Sequence, residues 1–109
     1  MFEFVREVPN TRGENPARAR RVDKAHRIPR EDIGLIMPVT LDDGRTVVGS
    51  SCVSQTDGWS VYVVQAVWLS DHWATGTYCS CADFAKWHVC KHLIRVAELA
   101  GAPKEVIWS

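Results

Sequence analysis

Three of the four cysteines of this chain lie between residues 79 and 90, in the segment CSCADFAKWHVCKH. Written as a pattern, the segment is C-x-C, eight residues, and C-x-H. Thiolate and imidazole are the ligands that a tetrahedral zinc ion takes in small structural sites. The pattern therefore predicts that one zinc ion joins Cys79, Cys81, Cys90 and His92, which constrains the fold more than any other feature.

The length and composition of the chain agree with a metal-stabilised domain. A chain of 109 residues suits one small domain with a limited core. The sequence contains no recognisable secretory signal and no apolar run of membrane-spanning length. We expect a reducing, cytoplasmic setting with no membrane partner, where clustered cysteines bind metal more often than they form disulfides.

The spacing of the four ligands suits a strand that is followed by a helix. Side chains two residues apart in a strand point the same way, so Cys79 and Cys81 can share one face of a strand end. Two residues apart within a helix, Cys90 and His92 would diverge by roughly 200°. Cys90 is therefore expected at or before the first helical turn.

Other cysteine and histidine residues offer alternatives. His88 also flanks Cys90 and could replace His92 as a ligand. Cys52 lies in the middle of a predicted strand and is expected to be a small buried residue, with a spare ligand role as the alternative. His72 is expected in a turn.

A zinc ion with four protein ligands has no open position for water, which argues for a structural site and against a catalytic one. The remaining residues contain no Gly-rich phosphate loop and no convincing pair of carboxylates. We therefore expect no enzyme activity and no small-molecule substrate. A disulfide or a reactive thiol would be the competing interpretation of the cysteines.

The hydrophobic pattern predicts an α+β fold, in which a small antiparallel β-meander precedes a C-terminal helix. Asp43-Gly44 and Asp57-Gly58 separate runs rich in β-branched and aromatic residues, as tight hairpin turns do. HVCKHLIRVAELAG has apolar residues at helical spacing and ends at Gly101. The predicted strands are LIMPVTL, RTVVGSSCVSQ, WSVYVVQAVWL and a short fourth one over residues 75–79.

The N-terminal part of the chain is basic although the formal net charge of the whole chain is zero. Residues 6–30 contain eight Lys or Arg and three Asp or Glu. We divide the chain into a basic arm over residues 1–33, partly disordered or forming a short helix after Asn15-Pro16, and a zinc-binding domain over residues 34–109. Such an arm suits an anionic partner or a solvated tail.

The C-x-C…C-x-H segment, with CADF after the first ligand and CKHLI at the helix start, resembles the SWIM-type zinc finger over roughly residues 45–101. The resemblance implies a strand pair ending in C-x-C, a helix carrying C-x-H, and the same four ligands. Lys91, between the last two ligands, is also common in that family. SWIM domains are proposed to bind DNA and proteins, and they are often joined to catalytic domains that have no counterpart here.

Two functions follow as hypotheses. The first is a module that binds nucleic acid, with DNA expected, through the basic arm and the surface beside the zinc. The second is an adaptor or small regulatory protein that binds a protein partner and whose zinc is purely structural. Trp59, Trp68 and Trp73 are expected in the core, or as a stacking platform, and Trp87 is expected to cover the metal. The residues expected to contact nucleic acid are Arg18, Arg20, Arg21, Lys24, Arg27, Lys86, Lys91 and Arg95.

Overall fold

The computed structural model describes residues 16–108, which form an antiparallel sheet with helices packed on one of its faces. Strands β1, β2, β3 and β4 are neighbours in chain order, and β5 also pairs with β3. The predicted meander and the α+β class are confirmed. The strands are β1 (Val39–Thr40), β2 (Thr46–Val53), β3 (Val61–Leu69), β4 (His72–Trp73) and β5 (Tyr78–Cys79).

The two Asp-Gly pairs lie in the β1–β2 and β2–β3 connections, as predicted. Gly44 and Gly58 have φ angles of 93° and 77°, which only glycine adopts without strain. Asp57 holds the second turn through one oxygen that accepts from the backbone N–H groups of Trp59 and Ser60, both at 2.9 Å. Its other oxygen accepts from the Ser60 hydroxyl, and these bonds lower the pKa of Asp57 to about 2.

The helical part of the chain differs from the single C-terminal helix that the sequence predicts. That helix begins only at Lys91 and stops before Gly101, whose φ is 87°. Two further short helices, α2 and α4, were not predicted. No helix in the described part of the chain has the length and apolarity needed to cross a membrane. The helices are α1 (Pro16–His26), α2 (Ala82–Trp87), α3 (Lys91–Leu99) and α4 (Lys104–Trp108), with a 3-10 turn at Arg30–Asp32.

The core lies between α3 and the inner face of the sheet. Leu93 and Ile94 on α3 are fully buried, as are Val48 on β2 and Val64 on β3. Trp68 is also buried, at 7% exposure, whereas Trp59 at the β2–β3 connection is 77% exposed. The core therefore depends on the correct placement of α3, which carries two of the predicted metal ligands.

The described half of the basic arm packs on α3. Val22, Ala25 and Ile28 are buried in the same core as the sheet. The Arg95 Nε on α3 donates to the backbone oxygen of Ile28 at 3.0 Å, and His26 pairs with Glu98. Residues 16–28 thus share the core of the domain that the sequence places over residues 34–109. Residues 1–15 of the arm, with the proposed Asn15 cap, lie outside the described residues.

Candidate metal centre

Three short pieces of backbone bring the four predicted ligands together, and Cys90 and His92 share the last of them at the start of α3. Cys79 ends β5, opposite Val64 of β3. Cys81 is the N-terminal cap of α2, and its sulfur accepts from the backbone N–H of Phe84 at 3.4 Å. Cys90 is the N-terminal cap of α3, with extended φ and ψ angles of −137° and 168°, so it precedes the first turn as predicted.

The donor atoms of these four residues form one compact group. One ligand atom from each of Cys79, Cys81, Cys90 and His92 lies within 4.8 Å of every other. The Sγ of Cys79 is 3.8 Å from the Nδ1 of His92. Bonds of roughly 2.3 Å to sulfur and 2.0–2.1 Å to nitrogen place tetrahedral ligand atoms about 3.6–3.8 Å apart, so small shifts suffice to close the shell.

The electrostatics of the group favour a bound cation. Cys90 donates a hydrogen bond to Cys79, which lowers the pKa of the Cys79 thiol to about 4. Burial raises the pKa of Cys81, and the bond to Cys79, together with burial, raises that of Cys90. Without a cation, the group therefore disfavours ionisation of Cys81 and Cys90. Three thiolates in this buried site need the positive charge of a metal ion.

The histidine of the group is His92. Its side chain is 4% exposed, and the Tyr62 ring packs against it with a centroid distance of 4.8 Å. Nδ1 faces the Cys79 sulfur, while Nε2 is buried without a hydrogen-bond partner among the described residues. Nδ1 is therefore the nitrogen placed to ligate a metal ion, while Nε2 lacks the hydrogen bond that usually orients a ligating histidine, and the packing of Tyr62 holds the ring instead.

The alternative ligands His88 and Cys52 lie outside the group, and its cysteines form no disulfide. His88 is exposed and caps the C-terminus of α2 in a left-handed conformation with φ of 63°. Cys52 is fully buried in β2 but does not belong to the group, and burial raises its pKa to about 11. All four cysteines are free thiols. His72 is exposed beside Asp71 and begins β4, where it pairs with Leu69, so it follows the turn in which the sequence predicts it.

Half of the basic residues expected to contact nucleic acid line one groove. The groove has a volume of about 340 Å³ between α1, α2 and the start of α3. Its basic residues are Arg20, Arg21, Lys24 and Lys91, and its one acidic residue is Asp83. Lys91 lies between the ligands Cys90 and His92 in the chain, so this wall of the groove is attached directly to the metal centre.

Trp87 lies in this groove instead of covering the metal, which corrects the sequence-based expectation. Its side chain is 53% exposed. The guanidinium carbon of Arg21 and the Nζ of Lys86 each lie 5.3 Å from the centre of its ring. Such distances permit cation–π attraction. Tyr62, which contacts His92, takes the covering position that the sequence suggests for Trp87.

The other expected contact residues occupy different places. Arg95 is held inside the helix layer, because its guanidinium bonds to the backbone of Ile28 and to Glu98. The guanidinium of Arg18 is partly buried, and burial lowers its pKa. Arg27 is exposed just beyond the end of α1 and does not line the groove. Arg18 and Arg95 therefore offer less surface to an outside anion than their positions in the sequence suggest.

A Cys3His cluster able to hold one metal ion is thus a feature of this structure. Comparison with protein-family models, with curated proteins and with solved structures gives no match. The resemblance to the SWIM-type zinc finger consequently stays a prediction, and the site is interpreted from its own geometry.

Proposed function

We propose that this protein is a zinc-stabilised module that binds nucleic acid, with DNA as the expected partner, through the groove between α1 and α2. The observation that carries the proposal is the convergence of Arg20, Arg21, Lys24 and Lys91 around the half-exposed Trp87. These residues come from three helices, and two of the helices begin at ligands of the metal centre. In the proposal, the metal organises the surface and takes no part in chemistry.

Zinc is the metal that best fits the donor set. Three sulfurs and one imidazole nitrogen in a closed, buried tetrahedron are characteristic of structural zinc. Carboxylate and carbonyl oxygens, which magnesium and calcium prefer, are absent from the four-residue group. The ion would join β5, α2 and α3, all of which are too short to be stable as isolated elements.

The groove combines the two interactions that nucleic acids offer. The groove is lined by four cationic side chains and by one acidic side chain, Asp83, so its net charge is positive and attracts phosphates. The exposed ring of Trp87 offers a surface on which an unpaired base can stack, at roughly 1–3 kcal/mol per base. Contacts of this kind position a backbone without reading its sequence, so binding is expected to be sensitive to salt and weakly sequence-specific.

The test is fluorescence anisotropy of zinc-loaded protein with labelled duplex and single-stranded DNA over a range of salt concentrations. The variant Arg20→Glu/Lys24→Glu is compared with Arg30→Glu/Lys104→Glu, which makes the same charge change at basic residues outside the groove. We expect the groove variant to lose at least about tenfold in affinity and its salt slope to fall by roughly 2. The control is expected to change much less.

Two results would contradict the proposal. One is the absence of binding to either DNA at low salt by folded, zinc-loaded protein. The other is an equal loss of affinity in the groove and control variants, which would indicate that net charge alone causes the binding. The comparison of Trp87→Ala with Trp59→Ala then separates stacking in the groove from a general loss of an exposed tryptophan.

The second candidate function is a protein-interaction adaptor. The 77% exposed Trp59, which lies away from the lining of the groove, favours this reading. An adaptor would bind no DNA without its partner, and its binding would suffer from Trp59→Ala more than from Arg20→Glu.

A further inference from the structure

The face of the sheet turned away from α3 is apolar and open. Paired residues of antiparallel strands lie on the same face, and the register places Val61 beside Val53 and Val63 beside Ser51. Val61 and Val63 are each 59% exposed. No charged residue occurs among the outward positions of β2 and β3 from Val47 to Val53 and from Val61 to Val67. Val67 is only 1% exposed, because the segment of Gly76 and Thr77 covers it. The outward positions that remain are Val47, Gly49, Ser51, Val53, Val61, Val63 and Gln65.

This outer face has a trough with an apolar ridge on each side. The floor is β2, where Gly49 and Ser51 are small, and a Cβ placed on Gly49 would meet no atom within 4 Å. One ridge contains Val39 on β1, which pairs with Val47 and so lies on the same face, with the exposed Met37 and Leu41 close to it in the chain. The other consists of Val61 and Val63 on β3, and Tyr78 on β5 extends it by pairing with Gln65. Because neighbouring strands are about 4.8 Å apart, the ridges are separated by roughly 10 Å.

The apolar surface of this face approaches the size of one side of a protein interface. The six ridge residues are between 37% and 66% exposed. Together these side chains present on the order of 600 Å² of accessible surface, at the upper end of the 300–600 Å² of the largest apolar patch on a typical monomer. Each partner contributes about 800 Å² to a standard interface, and the uncharged positions of the trough add to the area of the ridges.

We propose that this face binds a second copy of the same chain, with the sheets packed face to face around a two-fold axis. The face is complementary to a second copy of itself. Its ridge and its trough are one strand apart, so the β3 ridge of each copy can enter the β2 trough of the other. A symmetric interface brings equivalent residues near one another, and an uncharged face avoids repulsion between like charges. The helix layer, including the basic groove, remains outside in both copies.

The test is sedimentation equilibrium of the full zinc-loaded chain, followed by the variant Gly49→Glu. We expect the parent to sediment at twice its chain mass of 12.3 kDa. The open space at Gly49 accommodates the new side chain in the monomer. A buried carboxylate in the dimer is expected to raise the dimer dissociation constant at least about tenfold. Thr56→Glu, which adds the same charge at an exposed residue of the β2–β3 connection, should leave the mass unchanged.

Circular dichroism and zinc content establish that each variant is folded. A parent that remains monomeric up to high concentration overturns the proposal, whether residues 1–15 or a different protein covers the face. A dimer that Gly49→Glu and Val63→Glu both leave intact overturns it too, because the contact then lies elsewhere. The proposal is supported if Gly49→Glu and Val63→Glu both dissociate the dimer while the Thr56→Glu variant remains dimeric.

Discussion

Removal of the metal is expected to unfold the part of the chain that holds the core together. Structural zinc in small sites contributes an apparent 10–16 kcal/mol, roughly, to folding. The free energy of unfolding of a domain of this size is about 5–15 kcal/mol, so the contribution of the metal equals or exceeds it. The four ligands are between 0% and 7% exposed, and two of them begin α2 and α3. Without the ion, these helix starts and β5 lose their common attachment.

The assay follows zinc content, far-ultraviolet circular dichroism and tryptophan fluorescence during titration with a chelator. His92→Ala is expected to lose zinc and the signal of folded protein, whereas His88→Asn keeps both. His88 is a matched control because it lies two residues before Cys90, as His92 lies two after, and asparagine tolerates the left-handed backbone there. Unchanged circular dichroism and fluorescence after complete removal of the metal would refute the reasoning, as would loss of zinc from the His88 variant alone.

Three further results are expected. Leu93→Ala should lower the free energy of unfolding by about 2–5 kcal/mol in urea titrations, because the side chain is fully buried between α3 and the sheet; a cost below about 1 kcal/mol would contradict that packing. Arg95→Met should cost roughly 1–3 kcal/mol by the same assay, since it removes the bond that joins α3 to Ile28 at the end of α1, together with the bond to Glu98 within α3. An unchanged midpoint would show that the docking of α1 does not depend on Arg95. Burial raises the pKa of Cys52 from 9.0 to about 11, so its protonated thiol favours the folded state below pH 9 and this contribution is lost as the pH rises through 11. Cys52→Ala should flatten the decline in stability over that range, and an identical decline would refute the assignment.

Local chemistry explains which parts of the structure could be predicted from the sequence. The Asp-Gly turns, the two long strands β2 and β3 and the stop at Gly101 each follow from residues whose backbone preference leaves few alternatives. The first predicted strand, over residues 35–41, is shorter than expected, because only Val39 and Thr40 pair with β2. The grouping of the four metal-binding residues likewise follows from their spacing. Cys90 had to precede the first turn of α3 for geometric reasons, and it does.

The missed elements depend on contacts that a local pattern does not contain. α2 has only six residues, none of them buried, and it starts at a ligand sulfur that accepts a backbone N–H. A cysteine cap of this kind is hard to recognise because Ser, Thr, Asp and Asn are the usual caps. α4 begins at Lys104, directly after Pro103, and proline favours the start of a helix as well as following the end of one.

The basic lining of the groove also could not be predicted from a local pattern. The sequence shows the basic residues of α1, but the side of the helix on which each one lies depends on how α1 packs against α3. Val22, Ala25 and Ile28 fix the buried side of α1, which turns Arg20, Arg21 and Lys24 toward the groove. The half-exposure of Trp87 follows from that docking as well, and no spacing rule for a metal-binding segment would have predicted it.

The contact between Arg95 and Ile28 spans 67 positions of the chain, whereas the four residues of the candidate metal centre all lie within residues 79–92. Closing a short loop is fast and loses little chain entropy, while closing a long one is slower. During folding, we therefore expect the metal-bound turn to form early and the docking of α1 on α3 to come late. α1 is synthesised first, but it has no apolar partner until α3 has been made. On a ribosome stalled before residue 91, the side of α1 that is buried in the folded protein would therefore be exposed to water and to chaperones.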